Sequence, residues 1–271
     1  LFGISSLFLR KEKDDAVVRA FEGAVVVLIT ILTYYISRHV FHMNEDLLKA
    51  PSTFIERGVL TNIFLLYSFV CLWGGQRFNR EALTFSGLFL IALALSRVFF
   101  FDLLSYNVLW SHQYVGTLPL LNGLLLPYAL PILWIVLMQR NFSTALKENY
   151  WFYGDVELLV LLFFFVTFTV RQLYHGAYLD QGVTSNGEIY TYSAAWLVTG
   201  LVLLFWGTLK QNKMLRIASL AFIMLTISKV FLYDASELTG LLRVFSFLGL
   251  GISLLGLSWF YARFVFMQKK E

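Results

Sequence analysis

The chain has 271 residues, of which 58% are hydrophobic and only 14% are charged. Soluble proteins carry about 25% charged residues, and a chain of this length could not bury so much apolar surface in water. A soluble globule is therefore excluded, as is a disulfide scaffold, since Cys71 is the only cysteine. The net charge of +4 does not indicate a nucleic-acid partner, because the Lys and Arg residues are spread over the loops. The composition indicates a membrane protein.

Eight apolar segments are long enough to cross a bilayer, which takes about 17–25 residues per helix. In chain order they are 23–41, 60–75, 83–101, 118–138, 156–174, 191–209, 215–233 and 240–264. The pattern predicts an all-α polytopic membrane protein with eight transmembrane helices. Because the chain begins with Leu1 and residues 1–9 are mostly apolar, we expect these residues to be the tail of a preceding helix. We also expect the chain to be the C-terminal part of a longer protein.

The loops between these segments differ in their content of Lys and Arg. The loops on one side, together with both chain ends, hold 14 of these residues, whereas the opposite loops hold only Lys49 and Arg57. Positively charged loops stay on the cytoplasmic side. We therefore expect a multi-pass protein of the bacterial inner membrane with both ends of this region cytoplasmic. Further basic residues lie near the outer ends of the helices, where this rule does not place them.

The two halves of the chain match each other. Residues 96–102 (SRVFFFD) align with residues 228–234 (SKVFLYD) at an offset of 132. Three further residues align with a counterpart at an offset of 132 or 133: Glu56 with Glu188, Arg38 with Arg171 and His42 with His175. Four helices is an even number, so both copies enter the membrane in the same direction, which predicts two parallel four-helix repeats. We assign residues 1–18 to the preceding helix tail and a cytoplasmic linker, 19–141 to the first repeat and 142–271 to the second.

Three stretches of the second half resemble a known family. They are 188–196 (EIYTYSAAW), 229–234 (KVFLYD) and 242–251 (LRVFSFLGLG). They are similar to the C-terminal, multispanning region of the bacterial family of predicted membrane proteins catalogued as domain of unknown function 2339. The resemblance implies a membrane location and a longer protein with many spans. It implies no activity, cofactor or catalytic residue.

Ionisable side chains near the outer helix ends are the candidates for a functional site. Charge in or near hydrocarbon is costly unless it is paired or solvated, so such residues are functional candidates by default. We expect a ligand-binding cluster from eleven residues: Arg38, His42, Glu56, Arg97, Asp102, Arg171, His175, Glu188, Lys229, Asp234 and Arg243. Glu56 and Glu188 precede the second and sixth segments and are the expected partners of the arginines in the first and fifth.

The spacing of Arg97 and Asp102 indicates how these two residues are used. They are five residues apart, about 140° around an α-helix, so we expect them to bridge to neighbouring helices and not to each other. Lys229 and Asp234 have the same spacing.

Two interpretations of the cluster remain open. The residues are either interfacial anchors and interhelical salt bridges, or they converge on a cavity that binds an anion such as a lipid phosphate, a polyprenyl-linked sugar or a carboxylate. A third interpretation, a metal site, would draw on His39, His42, His175, Glu56 and Glu188. No metal-ligand spacing is present, so we expect no metal and no other cofactor.

Three further acidic residues lie near the predicted starts of the first and fifth helices: Glu22, Asp155 and Glu157. Negative charge is favourable at a helix N-terminus, so we interpret them as helix caps.

The leading functional hypothesis is non-enzymatic. We expect a membrane scaffold or accessory subunit with an outward-facing site for an anionic lipid or a lipid-linked glycan. A transporter or flippase for such a molecule is the first alternative, and an integral-membrane transferase at the outer leaflet is the second. The expected partners are membrane lipids and other proteins of a membrane complex, with no nucleic acid.

Overall fold

The computed structural model describes residues 16–43, 52–119, 121–142, 148–234 and 241–266. These residues contain eight α-helices: α1 Ala16–Phe41, α2 Phe54–Phe78, α3 Glu81–Arg97, α4 Ala129–Phe142, α5 Glu148–His175, α6 Asn186–Leu209, α7 Lys213–Lys229 and α8 Leu241–Phe260. Three α-helices continue directly into π-helical segments: π1 Val98–Ser105 after α3, π2 Val230–Asp234 after α7 and π3 Tyr261–Phe266 after α8. The predicted all-α polytopic architecture is confirmed.

Seven helical segments of the described chain are long and apolar enough to cross a membrane. They coincide with the first seven predicted segments. The eighth predicted segment falls on α8 and π3, where Phe247–Arg263 forms a shorter apolar helix. Its described side chains are mostly exposed, as expected of a helix that faces lipid.

The fourth predicted segment begins too early. Its helical part starts with a short 3₁₀ helix at Gly123–Leu125 and continues as α4. Asn122 ends the loop before it, because its side-chain oxygen accepts a hydrogen bond from the Leu124 N–H over 2.8 Å. Hydropathy alone could not find this boundary, since the loop before Asn122 is also apolar.

The chain divides into two compact units. The first comprises Leu1–Phe165 and His175–Gln181, and the second comprises Val166–Tyr174 and Gly182–Glu271. Helices α1 to α4 and most of α5 therefore belong to the first unit, and the end of α5 with α6 to α8 belongs to the second. The repeat boundary between residues 141 and 142 stays a prediction.

Small residues allow α2 and α3 to pack closely in the first unit. The Ser68 hydroxyl donates to the Gly87 carbonyl oxygen over 2.8 Å, and a Cβ atom on Gly87 would lie 2.8 Å from Leu72 Cγ. In the second unit α6 approaches α7 in the same way, since a Cβ atom on Gly200 would lie 2.8 Å from Ile223 Cγ1. Helices in lipid gain little from burying apolar surface, so close backbone contact is a main source of their affinity.

The close approach of α2 and α3 predicts a large effect of a side chain at Gly87. The substitution Gly87→Leu should destabilise the protein by about 1–3 kcal/mol, because the new side chain would overpack the interface. The matched control is Gly23→Leu on α1, where a Cβ atom meets no atom within 4 Å. Thermal unfolding in detergent measures both variants. Equal unfolding temperatures for the two variants would contradict the packing that we describe.

Candidate functional site

Glu56, at the start of α2, contacts several polar groups of the first unit. Glu56 and Thr53 form a capping box, in which the Glu56 N–H donates to Thr53 Oγ1 and the Thr53 N–H donates to Glu56 Oε2, both over 3.2 Å. Arg38 Nη1 at the end of α1 donates to both carboxylate oxygens over 3.3 Å. His42 Nε2 lies 3.0 Å from Glu56 Oε2. The predicted pairing of Arg38 with Glu56 is confirmed.

Arg57, the next residue of α2, forms a second buried ion pair. Its Nε donates to Asp102 Oδ1 over 2.7 Å. Its Nη1 donates to the Ser52 carbonyl oxygen over 2.8 Å, and its Nη2 donates to Gln113 Oε1 over 2.6 Å. The guanidinium carbon lies 5.2 Å from the centroid of the Tyr106 ring. Arg57 is only 1% exposed, so these contacts replace the water that the cation loses on burial.

The π-helical segment π1 decides how Asp102 reaches Arg57. In π1 the Tyr106 N–H donates to the Phe101 carbonyl oxygen over 2.7 Å, which is the five-residue bond of a π-helix. Residues five apart therefore come close to one face, and the angle of about 140° that an α-helix would impose does not apply. Arg97 lies over the Phe64 ring of α2, and Asp102 binds Arg57 of the same helix. The prediction that both residues bridge to a neighbouring helix is confirmed, but the assumed angle between them was wrong.

The second unit repeats the arginine–glutamate pair. Ser185 caps α6 by accepting from the Glu188 N–H over 3.2 Å. Arg171 Nη1, near the end of α5, donates to Glu188 Oε1 over 3.0 Å, and the Tyr192 hydroxyl donates to the same oxygen over 2.7 Å. The predicted pairing of Arg171 with Glu188 is therefore confirmed.

Lys229 uses uncharged acceptors on α6. Its ammonium donates to the Ile189 carbonyl oxygen over 2.9 Å and to Ser193 Oγ over 2.8 Å, and it lies 5.8 Å from the centroid of the Tyr233 ring. We call the helix ends that carry these contacts the polar end of each unit. In the first unit the polar end holds Arg38, His42, Glu56, Arg57, Arg97 and Asp102, and in the second it holds Arg171, Glu188 and Lys229.

A cavity of about 550 Å³ opens at the polar end of the first unit. Its walls come from the end of α1, the start of α2 and the loop after π1: Phe41, Ser52, Thr53, Phe54, Ile55, Tyr106, Ser111, His112, Gln113 and Tyr114. Of these described lining residues, none is Lys, Arg, Asp or Glu. The cavity therefore combines aromatic faces with amide, hydroxyl and imidazole groups, as small-molecule sites commonly combine apolar walls with a few polar groups.

The loop that lines this cavity is fixed by contacts within the first unit. The rings of His112 and Tyr178 stack with their centroids 4.3 Å apart, and His112 Nδ1 lies 3.0 Å from Asp180 Oδ2. The Val115 N–H donates to the Ala177 carbonyl oxygen over 3.0 Å. Residues 175–181 therefore support the wall that His112, Gln113 and Tyr114 provide.

A family model described as "Predicted membrane protein (DUF2339)" matches residues 2–264. The chain belongs to this family. The match covers nearly the whole sequence, in agreement with the resemblance read from the second half. A search of curated proteins gave no match, and a search of solved structures gave none. Membership of DUF2339 thus establishes a multispanning membrane protein and leaves its function to be inferred from the site.

The structure describes the other three predicted site residues in less detail. His175 is the last residue of α5 and is partly buried. The side chains of Asp234 and Arg243 lie outside the described residues. Within the described part of the chain, no group of three or more His, Cys, Asp and Glu residues could hold a metal ion. The structure thus places nine of the DUF2339 chain's basic and acidic groups at the polar ends, six in the first unit and three in the second.

Arg57 is the residue that the sequence analysis missed, since it was counted as a loop residue. The sequence nevertheless contains a pattern that places Arg57 inside a helix. Thr53 and Glu56 have the spacing of a capping box, as Ser185 and Glu188 do, and this pattern starts α2 before Arg57. His112 and Gln113 carried no comparable signal, because their contacts depend on how the loop after π1 folds.

The interpretation of three acidic residues as helix caps was wrong, because α1 and α5 begin earlier than the hydropathy indicated. Helix α1 starts at Ala16, so Glu22 lies in its second turn, where it accepts from Arg80 Nε over 3.0 Å. Helix α5 starts at Glu148, so Asp155 and Glu157 lie in its third turn. Asp155 Oδ1 accepts from Gln139 Nε2 of α4 over 2.8 Å.

The buried pair of Arg57 and Asp102 predicts a strong dependence of stability on both partners. Asp102→Ala should lower the free energy of unfolding by about 3–5 kcal/mol, because it leaves a buried guanidinium without its carboxylate. The double variant Arg57→Met/Asp102→Leu should be more stable than the single variant, because no unpaired charge remains. Denaturant titration in mixed micelles measures both.

The exposed pair of Arg19 and Glu81 provides the control, because its side chains are 45% and 68% exposed. Glu81→Ala should unfold close to the wild type. A loss as large as that of Asp102→Ala would show that burial does not determine the strength of these pairs.

Proposed function

We propose that this protein is a non-enzymatic membrane scaffold or accessory subunit that binds the glycan of a lipid-linked glycan in the polar-end cavity of its first unit. The observation that carries the proposal is the chemistry of that cavity. Its aromatic side chains can cover the apolar face of a sugar ring, and the hydroxyl groups of Tyr106 and Tyr114 can bond to sugar hydroxyls. A polyprenyl chain would lie in the adjacent bilayer.

The pairing of the charged residues favours a glycan over a simple anion. Arg38 and Arg57, next to the cavity, already donate to Glu56 and Asp102. An anion would have to compete with these carboxylates for the same guanidinium groups. Sugar hydroxyls can bond to the tyrosine hydroxyl groups of the cavity instead, so the ion pairs serve to hold the walls in place.

The same pairing argues against the transferase alternative. Two of the four residues that would be its acid or base, Asp102 and His42, are 1% and 7% exposed and are held in contact with Arg57 and Glu56. A general acid or base has to reach the proton that it transfers. The contacts therefore support a structural role for both residues.

We infer further that the two units arose by duplication of four helices. Three structural features recur 132 residues apart and support this inference. They are the helix caps Thr53 and Ser185, the left-handed turn residues Asn79 and Gln211, and the first residues of the π-helices, Val98 and Val230. Even the close helix contacts correspond. Ser68 faces Gly87 in the first unit, and the equivalent positions are Gly200 and Ser219 in the second. At these two positions serine and glycine are thus exchanged between the units.

We also infer that the polar end faces the outside of the bacterial inner membrane and that both ends of this region are cytoplasmic. The distribution of Lys and Arg over the loops supports this orientation.

Single cysteines test the orientation. In a Cys71→Ser background, Val183→Cys should react with a membrane-impermeant maleimide added to intact spheroplasts, whereas Lys210→Cys should react only after lysis. Val183 is 92% exposed and Lys210 is also exposed, so both positions are reachable. The opposite pattern of labelling would reverse the topology.

Ligand binding tests the function. The full-length protein in nanodiscs should bind a polyprenyl-phosphate-linked N-acetylhexosamine more tightly than the same polyprenyl phosphate without a sugar. Phe41→Ala and Tyr114→Ala should each weaken the sugar-dependent part by about fivefold, because each removes one aromatic wall. Microscale thermophoresis measures the dissociation constants.

Tyr190→Ala is the matched control, since Tyr190 is 57% exposed and does not line the cavity. It should bind as the wild type does. Equal affinity for the lipids with and without the sugar would overturn the glycan assignment and favour recognition of the phosphate.

A further inference from the structure

The first unit contains a second cavity, and none of its lining residues belongs to the polar end. Its volume is about 440 Å³, and it lies between α3, α4 and α5. Leu88 and Leu95 of α3 and Met138 of α4 contribute to walls that are almost entirely apolar. Tyr153 and Glu157 of α5 are the exceptions. Its size is within the range that holds a small ligand or part of a lipid chain.

Glu157 is the unusual group in this cavity. Its Oε1 atom is buried and has no hydrogen-bond partner among the described residues. The nearby carboxylate of Asp155 differs, because it accepts from Gln139 Nε2. A carboxylate oxygen that is buried without a donor is costly, so this atom is expected to meet a donor from beyond the described residues.

The position of Glu157 along α5 places it near one membrane surface. The apolar span of this helix begins at Tyr153, so Glu157 lies about 6 Å inside it at 1.5 Å per residue. Helix α3 begins on the same side, because one span separates it from α5. Leu88 and Leu95 lie about 11 Å and 21 Å from its start. The cavity therefore has its polar group near the interface and apolar walls toward the middle of the bilayer.

We propose that this cavity binds an aminophospholipid of the phosphatidylethanolamine type, with its ammonium group on Glu157 and part of an acyl chain against the α3 wall. An ammonium group carries only donors, and a carboxylate offers only acceptors, so the two are complementary. A choline head group has no N–H to donate. The head group of an anionic lipid carries a negative charge that Glu157 would repel.

Native mass spectrometry of the wild-type chain tests the lipid preference directly. The protein is released from nanodiscs that contain equal amounts of phosphatidylethanolamine, phosphatidylcholine and phosphatidylglycerol with identical acyl chains. Phosphatidylethanolamine should be retained about tenfold more than phosphatidylcholine, which is the effect of one charge-assisted hydrogen bond. Equal retention of these two lipids, or no retained lipid, would overturn the proposal.

Two variants assign the preference to the cavity. Glu157→Gln should abolish the tenfold preference while leaving the shape of the cavity intact, and Ala92→Trp should reduce retention of all three lipids, because Ala92 lines the α3 wall. The matched control is Glu81→Gln, which alters a carboxylate of α3 that is exposed and bound to Arg19. It should keep the wild-type preference. A preference that survives Glu157→Gln would place the lipid elsewhere.

Discussion

A charge at the end of a membrane helix needs a partner within the protein, and a glutamate at the start of α2 and of α6 provides one in each unit. Glu56 and Glu188 both occupy the third position after a hydroxyl cap, where their own backbone N–H groups already bond to Thr53 and Ser185. Each then accepts from an arginine near the end of the preceding helix. In each unit, one carboxylate thus links the start of a helix to the end of the preceding helix. The arrangement of the other polar groups follows from this connection.

The π-helical segments extend this arrangement to a third helix. A wider turn after α3 brings Asp102 to Arg57, although the regular α-helical angle would turn it away from the face that carries Arg97. The ion pair in turn orients Gln113, and Gln113 forms part of the cavity wall. Through this series of contacts, buried charge shapes a cavity whose described lining residues include no Lys, Arg, Asp or Glu.

The two cavities of the first unit differ in chemistry for a physical reason. At the polar end, several aromatic and polar side chains share the wall, and the nearby charges are neutralised by one another. Between α3, α4 and α5, the walls are hydrocarbon and one carboxylate oxygen has no donor in the described chain. The first environment suits a neutral ligand with many hydroxyl groups. The second suits an amphiphile whose head group carries a single cation.

The sequence by itself determined the membrane location, the spans and the pairing of Arg38 with Glu56 and of Arg171 with Glu188. These features are local or periodic, since hydropathy, helix spacing and an offset of 132 residues can all be read along the chain. Only the tertiary structure decided the π-helical turn at Asp102, the burial of Arg57 and the two cavities. Each of these depends on contacts between distant residues, such as the 45 positions that separate Arg57 from Asp102. No local pattern encodes which of several possible partners a buried charge will meet.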